Sequence, residues 1–241
     1  MDDYTRRAFI RTSLPGFLGV TMALPALTAF ATRANANEGR VPADGAIHWD
    51  AFLEAIAHEA DRQHLDDWNE HTYVKRAEAL CRRLNMQDPA LEAAFVRAQK
   101  GLGNGRIDFY DLEKRHNFQV NLLQFEPGEA IRHHDHPGMT GVLLCATGAL
   151  AADNYDLLKR REGTGSFLLK QSGSEVLEKG MVSSLTSKER NIHRVEAKVL
   201  TQVVDIFAPP YDRQRSAKSS WFDVDPEPFE GRDGIFEATI S

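Results

Sequence analysis

The hydrophobic positions between residues 47 and 102 recur every three or four residues, a period that predicts amphipathic helices. The first two apolar stripes are Trp49, Phe52, Leu53, Ile56 and Ala60, and then Tyr73, Val74, Ala77, Leu80, Cys81 and Leu84. A third helix is predicted to begin at Asp88-Pro89, because an Asp cap followed by Pro favours a helix start. The glycine-rich run from Gly101 to Gly105 predicts the end of this helix.

After Gly105 the pattern becomes typical of strands. Phe118, Val120 and Leu122 alternate with polar residues, and short apolar runs follow at 142–146, 166–169, 174–177 and 199–204. Such runs, bounded by Gly, Ser or charged residues, predict an antiparallel sandwich or barrel. We therefore predict a mainly β protein, in which a helical segment at 37–105 precedes a barrel at 106–241.

The composition narrows the class of protein. With 241 residues, of which 42% are hydrophobic and 27% charged, the chain can bury a substantial core. Two cysteines, Cys81 and Cys145, are too few for a disulfide scaffold, and both are predicted to be buried packing residues. The net charge of −6 gives no general attraction to nucleic acid, so no nucleic-acid partner is expected.

The first 36 residues have the order of an export signal. Paired arginines, Arg6 and Arg7, precede a stretch from Thr12 to Thr32 without charge, and Ala34-Asn35-Ala36 resembles a cleavage site. Paired arginines and a mildly hydrophobic core predict a twin-arginine signal peptide at 1–36, which the twin-arginine export machinery would recognise.

Cleavage after this signal would place the mature protein in the periplasm, with no stable membrane insertion. Removal of the four basic and two acidic residues before Asn37 gives a mature net charge of −8. The alternative is a retained anchor, because 21 uncharged residues nearly reach the length of about 20 that a spanning helix needs. Pro15 and Pro25 within the stretch argue against the anchor.

The chemically richest stretch of the chain is His133-His134-Asp135-His136. On an extended chain, residues two apart face the same side, so that His134 and His136 can enter one cavity while His133 points away. Two imidazoles form half of a site that suits zinc, copper, iron or nickel, although a pair of hydrogen-bonded surface histidines gives the same spacing. The best candidate for a third ligand is His193, just before the last long strand.

The other histidines are less suitable as ligands. They are His48, His58, His64 and His71, which lie on the predicted helices, and His116, which follows a charged stretch. Solvent exposure is the default expectation for these five side chains.

Gly128 stands six positions before His134, so the chain contains G-x5-H-x-H, which resembles the opening of the first cupin signature. Most cupins place a Glu after the second His, with three or four residues between the two. Here Thr140 and Gly141 occupy those positions, so no carboxylate ligand is expected.

Two longer motifs extend the resemblance. The runs His134-Asp135-His136-Pro137-Gly138-Met139-Thr140 and Asp205-Ile206-Phe207-Ala208-Pro209-Pro210-Tyr211 resemble those of the cysteamine (2-aminoethanethiol) dioxygenases and plant cysteine oxidases. These enzymes are thiol dioxygenases with a cupin fold, a double-stranded β-helix barrel. The similarity runs from about Phe118 to Tyr211, and His193 falls between the motifs where the family has its third ligand.

The resemblance implies a site and a reaction. His134, His136 and His193 would hold one Fe2+ ion, and a small thiol would be oxidised by O2 to its sulfinic acid. Asp205 would orient a ligand histidine or hold a substrate amine, and Tyr211 would hydrogen-bond bound oxygen. The Cys–Tyr crosslink of some animal relatives is not expected, since the corresponding region reads Ser220-Trp221-Phe222.

Three other interpretations remain open at this point. The first is a cupin enzyme of different chemistry, although such enzymes usually keep the Glu that is absent here. The second is a periplasmic protein that binds a metal or ligand without turnover. The third is a purely structural metal, but three protein ligands leave open coordination positions that suit chemistry better than a closed structural site.

The export signal leads to a first testable expectation. Replacing Arg6 and Arg7 together by lysine should leave the precursor in the cytoplasm, because lysine does not reproduce the paired guanidinium groups. Cell fractionation followed by immunoblotting measures the distribution. Unchanged export of the double-lysine form would contradict the twin-arginine assignment.

Overall fold

The computed structural model describes residues 45–241, except for residues 104, 106, 212–213 and 215–216. The predicted signal peptide, residues 1–36, lies outside the described residues. Within the described residues, no helix is both long enough and apolar enough to cross a membrane.

Three helices lie where the hydrophobic period predicts them. In the described part of the chain they are α1 (Trp49–Asp61), α2 (Glu70–Arg83) and α3 (Pro89–Ala98). Two starts have side-chain caps. Asp88, the predicted cap, accepts a hydrogen bond from the backbone of Ala90, and Asn69 accepts one from that of Thr72. Asp88 also accepts from the backbone N–H of Trp49 at 2.9 Å, which ties the start of α3 to that of α1.

Antiparallel strands form the rest of the chain. Within the described residues these are β1 (Asp108–Lys114), β2 (Gln119–Phe125), β3 (Ala130–His134), β4 (Thr140–Thr147), β5 (Ala149–Arg160), β6 (Ser166–Glu178), β7 (Val182–Leu185), β8 (Ile192–Ala197), β9 (Thr201–Ala208), β10 (Phe222–Pro228) and β11 (Ile235–Ile240). They pair in two sheets, in the orders β1-β2-β9-β4-β7 and β10-β11-β6-β5-β8-β3. The prediction of a mainly β, cupin-type barrel preceded by helices is confirmed.

Some strand boundaries differ from the sequence-based expectation. The short strands predicted at 166–169 and 174–177 are one strand of 13 residues, β6. Gly173 breaks the hydrophobic pattern there, and the guanidinium group of Arg190 fills the space where a Cβ would lie. The last predicted run also begins too early, because Val199 and Leu200 are exposed and β9 starts at Thr201.

The helices and the first sheet share one hydrophobic core. Phe52 and Ile56 of α1 belong to the same buried cluster as Leu144 of β4 and Val204 and Ile206 of β9. The predicted division at residue 105 falls between α3 and β1, and it stays a prediction as a domain boundary. The helical segment covers one face of the sheet, so the opposite face of that sheet is left to line the barrel.

Strand β9 shows how the two faces divide. Val204, Ile206 and Ala208 pack in the core with the helices, while Asp205 and Phe207 line a cavity on the other side. Because successive residues of a strand face opposite ways, one strand supplies both core packing and the polar interior of the barrel.

The shared core gives a second prediction. Phe52→Ala should lower the free energy of unfolding by about 3–5 kcal/mol, because the fully buried ring would leave a cavity between helix and sheet. Val96→Ala, on the exposed side of α3, is the control and should change stability by about 0.5 kcal/mol or less. Urea denaturation followed by circular dichroism measures both. A loss below about 1 kcal/mol for Phe52→Ala would show that α1 is not part of the core.

Candidate metal centre

The first two candidate ligands lie where β3 ends and the chain turns towards β4. His134 is the last residue of β3, and His136 follows in the turn. The backbone N–H of Met139 donates to the carbonyl of His136 at 3.1 Å, and Gly138 has a φ of +68°, which glycine adopts without strain. The turn brings the two imidazole ring centroids to 4.7 Å from each other.

His193 comes from β8, which pairs with β3. It is the register partner of His134 across these antiparallel strands. The Nε2 atom of His193 lies 3.0 Å from Nε2 of His136 and 3.3 Å from Nε2 of His134. All three side chains are buried. Strand pairing therefore joins imidazoles that are up to 59 positions apart in sequence.

The spacing of these nitrogen atoms fits one metal ion. Imidazole–metal bonds of about 2.1 Å that meet at a right angle place two nitrogen atoms about 3.0 Å apart. The described residues contain no second group of His, Cys, Asp and Glu with ligand atoms gathered in this way. A set of three imidazoles suits zinc, copper, iron and nickel. The cluster therefore has the donor set and the geometry of a metal site.

Burial keeps the three imidazoles uncharged. Loss of hydration lowers the pKa of His134 to about 4, and burial also holds the pKa values of His136 and His193 well below the ordinary value. All three are neutral at pH 7, the form that offers a lone pair to a metal. Nδ1 of His134 donates to the carbonyl of Arg132 at 2.8 Å, which leaves the lone pair on Nε2.

Tyr211 supports the second imidazole. Its hydroxyl group is hydrogen-bonded to Nδ1 of His136. Burial raises the pKa of this hydroxyl well above the ordinary value, and the nearby carboxyl groups of Asp205 and Asp135 raise it further. If Nε2 of His136 binds a metal, Nδ1 carries the proton and donates it to the Tyr211 oxygen. The contact with bound oxygen that the family resemblance implies for Tyr211 stays a prediction.

Asp205 faces the same cavity as His193. Asn154 and Ser183 also line this cavity. Asp205 is 5% exposed, and its Oδ1 atom has no hydrogen-bond partner among the described residues. Burial raises the pKa of its carboxyl group well above the ordinary value. A buried carboxyl oxygen without a partner is available to a polar molecule that enters the cavity.

Asn191 connects the turn of His136 to the strand of His193. The backbone N–H of His136 donates to Oδ1 of Asn191 at 2.9 Å, and Nδ2 of Asn191 donates to the carbonyl of His136 at 3.1 Å. The same Nδ2 donates to the carbonyl of Thr186 at 2.7 Å. The sequence analysis missed this role, for which the only signal was the position of Asn191 two residues before His193.

Two aromatic rings cover the cluster, and the sequence analysis missed both. Trp221 stacks on His134 with ring centroids 5.0 Å apart and planes 26° apart. Phe207 lies on His136 with centroids 4.8 Å apart and planes 30° apart. The rings limit the access of water to two of the three imidazoles. Phe207 stands inside the second family motif, which was the only signal available for it.

The remaining candidates lie as the sequence predicts. The ring of His133 contacts Tyr155, with centroids 5.3 Å apart, and its nitrogen atoms are not in the cluster. The five other histidines, His48, His58, His64, His71 and His116, are exposed. Cys81 and Cys145 are buried free thiols, and burial raises the pKa of Cys145 to about 11, which suits a packing residue.

The barrel of antiparallel strands is that of a cupin. The three buried, converging imidazoles give it the arrangement of a metal site. The PCO_ADO family model matches residues 71–234, and the chain belongs to this family, that of the plant cysteine oxidases and 2-aminoethanethiol dioxygenases. The family resemblance noted in the sequence is thereby confirmed.

Individual relatives are distant. The chain is 26% identical over 144 residues to a probable 2-aminoethanethiol dioxygenase of Dictyostelium discoideum, a match that covers 56% of this chain and 62% of that protein. The match thus spans less than two thirds of the relative's length. Among solved structures, KdgF from Halomonas sp. is 16% identical to this chain, with a TM-score of 0.36. The match covers 47% of this chain and 86% of the KdgF chain. An RmlC-like cupin from Desulfovibrio desulfuricans is also 16% identical, with a TM-score of 0.35. That match covers 45% of this chain and 87% of the cupin chain.

The cluster gives a third prediction. Substituting alanine for His134, His136 or His193 should weaken metal binding by at least about 10–100-fold, the loss caused by removing even a hydrogen-bond partner of a ligand. His133→Ala and His116→Ala are matched controls and should retain affinity, because neither side chain belongs to the cluster. Metal content after dialysis, measured by mass spectrometry, distinguishes them. Full metal content in His193→Ala would remove His193 from the ligand set.

Proposed function

We propose that this chain is an iron-dependent dioxygenase that converts a small thiol, such as cysteamine or cysteine, to its sulfinic acid. The observation that carries the proposal is the buried cluster of three neutral imidazoles in a chain of the PCO_ADO family. In the reaction, R–SH and O2 give R–SO2H. Both oxygen atoms become bonded to sulfur, which loses the four electrons that O2 gains, so no further reductant is needed.

The three histidines of the cluster would hold the ion through neutral nitrogen ligands. Ferrous iron, when bound, supplies a redox-active centre with positions for a thiolate and for O2. Since His134, His136 and His193 are neutral, they leave the positive charge of the ion undiminished, which favours a thiolate over a thiol at the site. The aromatic rings of Trp221 and Phe207 exclude water from the imidazoles.

Asp205 is proposed to bind the polar end of the substrate. Its carboxyl group is buried in the cavity that His193 borders, and its Oδ1 atom has no partner among the described residues. An amine two carbons from the thiol could donate a hydrogen bond to this oxygen while the sulfur lies near the imidazoles. The Dictyostelium relative is named as a probable 2-aminoethanethiol dioxygenase, which agrees with an amine at this position.

We further propose that the protein acts in the periplasm after twin-arginine export. The support is the order of Arg6-Arg7, an uncharged stretch and Ala34-Asn35-Ala36. Because this route carries folded proteins, a buried metal site of this kind would be filled in the cytoplasm before export.

The fourth prediction tests the activity. Iron-loaded protein should consume O2 with a thiol from a panel of cysteamine, cysteine, 3-mercaptopropionate and 2-mercaptoethanol, and the product should gain two oxygen atoms. Asp205→Asn should lower kcat/KM for an amine-bearing thiol by about tenfold or more, the usual cost of losing a charged hydrogen bond. For 2-mercaptoethanol, which has no amine, the same change should matter less. An oxygen electrode and mass spectrometry provide the measurements.

His116→Ala, on the exposed surface, is the control and should match the unaltered protein. Tight binding of a thiol without O2 uptake by the iron-loaded protein would replace this proposal with a binding function. Equal losses for all thiols in Asp205→Asn would contradict the contact with the amine.

A further inference from the structure

The positions at which most cupins carry a ligand Glu have unusual surroundings in this chain. Thr140 is buried, and its hydroxyl group donates to the carbonyl of Ala208 at 2.9 Å, so its side chain is engaged in pairing between β4 and β9. Gly141 faces the other way and lines the cavity with His193 and Phe207. Of these two positions, only 141 therefore faces the cavity that the imidazole of His193 borders.

Phe207 occupies the space in front of Gly141. The two residues are partners across β4 and β9. A Cβ atom at position 141 would lie 2.8 Å from Cε1 and 3.2 Å from Cδ1 of Phe207, and 3.4 Å from Cγ of Leu185. Cβ atoms essentially never approach another heavy atom within 3.0 Å. Any side chain at position 141 thus requires the ring to move.

The ring has little freedom to move. It lies on the imidazole of His136, with centroids 4.8 Å apart, and makes an edge contact with Tyr211, with centroids 4.7 Å apart. Tyr211 is in turn hydrogen-bonded to Nδ1 of His136. Phe207 is 3% exposed, so solvent offers no alternative place for it. Displacing the ring would therefore disturb His136 itself.

We propose that Phe207 is a positioning residue that, together with the missing side chain at Gly141, excludes a fourth protein ligand from the metal site. The ring holds the plane of His136 and fills the place through which a carboxylate would reach the metal. The inference rests on the three-imidazole metal site of the proposed function. It adds a physical reason why position 141 contributes no carboxylate ligand to that site.

The first experiment installs the absent ligand with and without the ring. Binding of Co2+, a redox-inert probe whose visible absorption depends on ligand number and geometry, is measured anaerobically and without thiol. Gly141→Glu alone should not bind Co2+ more tightly than the unaltered protein. Gly141→Glu combined with Phe207→Ala should bind it at least tenfold more tightly, with a changed visible spectrum. Gly141→Gln combined with Phe207→Ala is the uncharged control and should show neither gain.

Two results would overturn the proposal. One is a gain in affinity in Gly141→Glu alone that equals the gain in the double variant, because the ring would then be no barrier. The other is a double variant whose affinity and spectrum match those of the Gln control, because the space behind the ring would then not lead to the metal.

A milder pair of substitutions covers the case in which these variants do not fold. Gly141→Ala adds only the Cβ atom that meets the ring, and it should weaken Co2+ binding several-fold. In a Phe207→Leu background, where no ring reaches the glycine, the same change should alter Co2+ binding less than twofold. This double-mutant cycle isolates the contact between the two positions. Equal effects of Gly141→Ala in both backgrounds would contradict the proposal.

The readout separates this inference from the proposed function. If the unaltered protein does not bind Co2+, the metal site itself is wrong. If it binds Co2+ but the cycle shows no coupling, only the role of Phe207 fails. Thiol oxidation enters neither comparison.

Discussion

Three buried imidazoles gather their Nε2 atoms within 3.3 Å of that of His193, and the architecture around the cluster holds the rings in this arrangement. Pairing of β3 with β8 sets His134 opposite His193, and Asn191 holds the turn that carries His136. A backbone carbonyl fixes Nδ1 of His134. Because the rings are held in place by the surrounding structure, little rearrangement would be needed for all three nitrogen atoms to meet one cation.

Local signals were sufficient for the helices. Asn69 and Asp88 cap α2 and α3 through their own side chains, and the apolar stripes are the faces that are buried. Caps and stripes are properties of a few neighbouring residues, and for this reason a sequence displays them directly. The alternating strand around Val120 could be predicted equally well, because β2 packs against the helices on one side.

Features that depend on pairing between segments far apart in the sequence could not be predicted. Strands β5 and β6 run past Gly173 because each is the other's hydrogen-bonding partner, and this information is not present in either segment alone. The spacing of His134 and His136 predicts that both enter one site, although His136 lies in the turn after β3 and not on a strand. His193 could be named from its position before a strand, but the pairing of β8 with β3 that brings it to the other two is not visible in the sequence. Trp221 and Phe207 reach the imidazoles because the fold brings their segments close. The identity of one aromatic residue in the sequence does not show which side chain it will contact.

The alternation along β9 has a consequence for how this protein can misfold. A slip of one residue against β2 or β4 would turn Asp205 into the apolar layer under the helices and bring Val204 and Ile206 into the barrel. The carboxyl group would then be buried without access to any polar partner, which costs free energy. A strand made only of hydrophobic residues would not pay this cost on slipping by one residue. The residue proposed to meet the substrate thus also opposes mispairing of its own strand, and replacing it by an apolar residue would weaken the specification of register as well as the site.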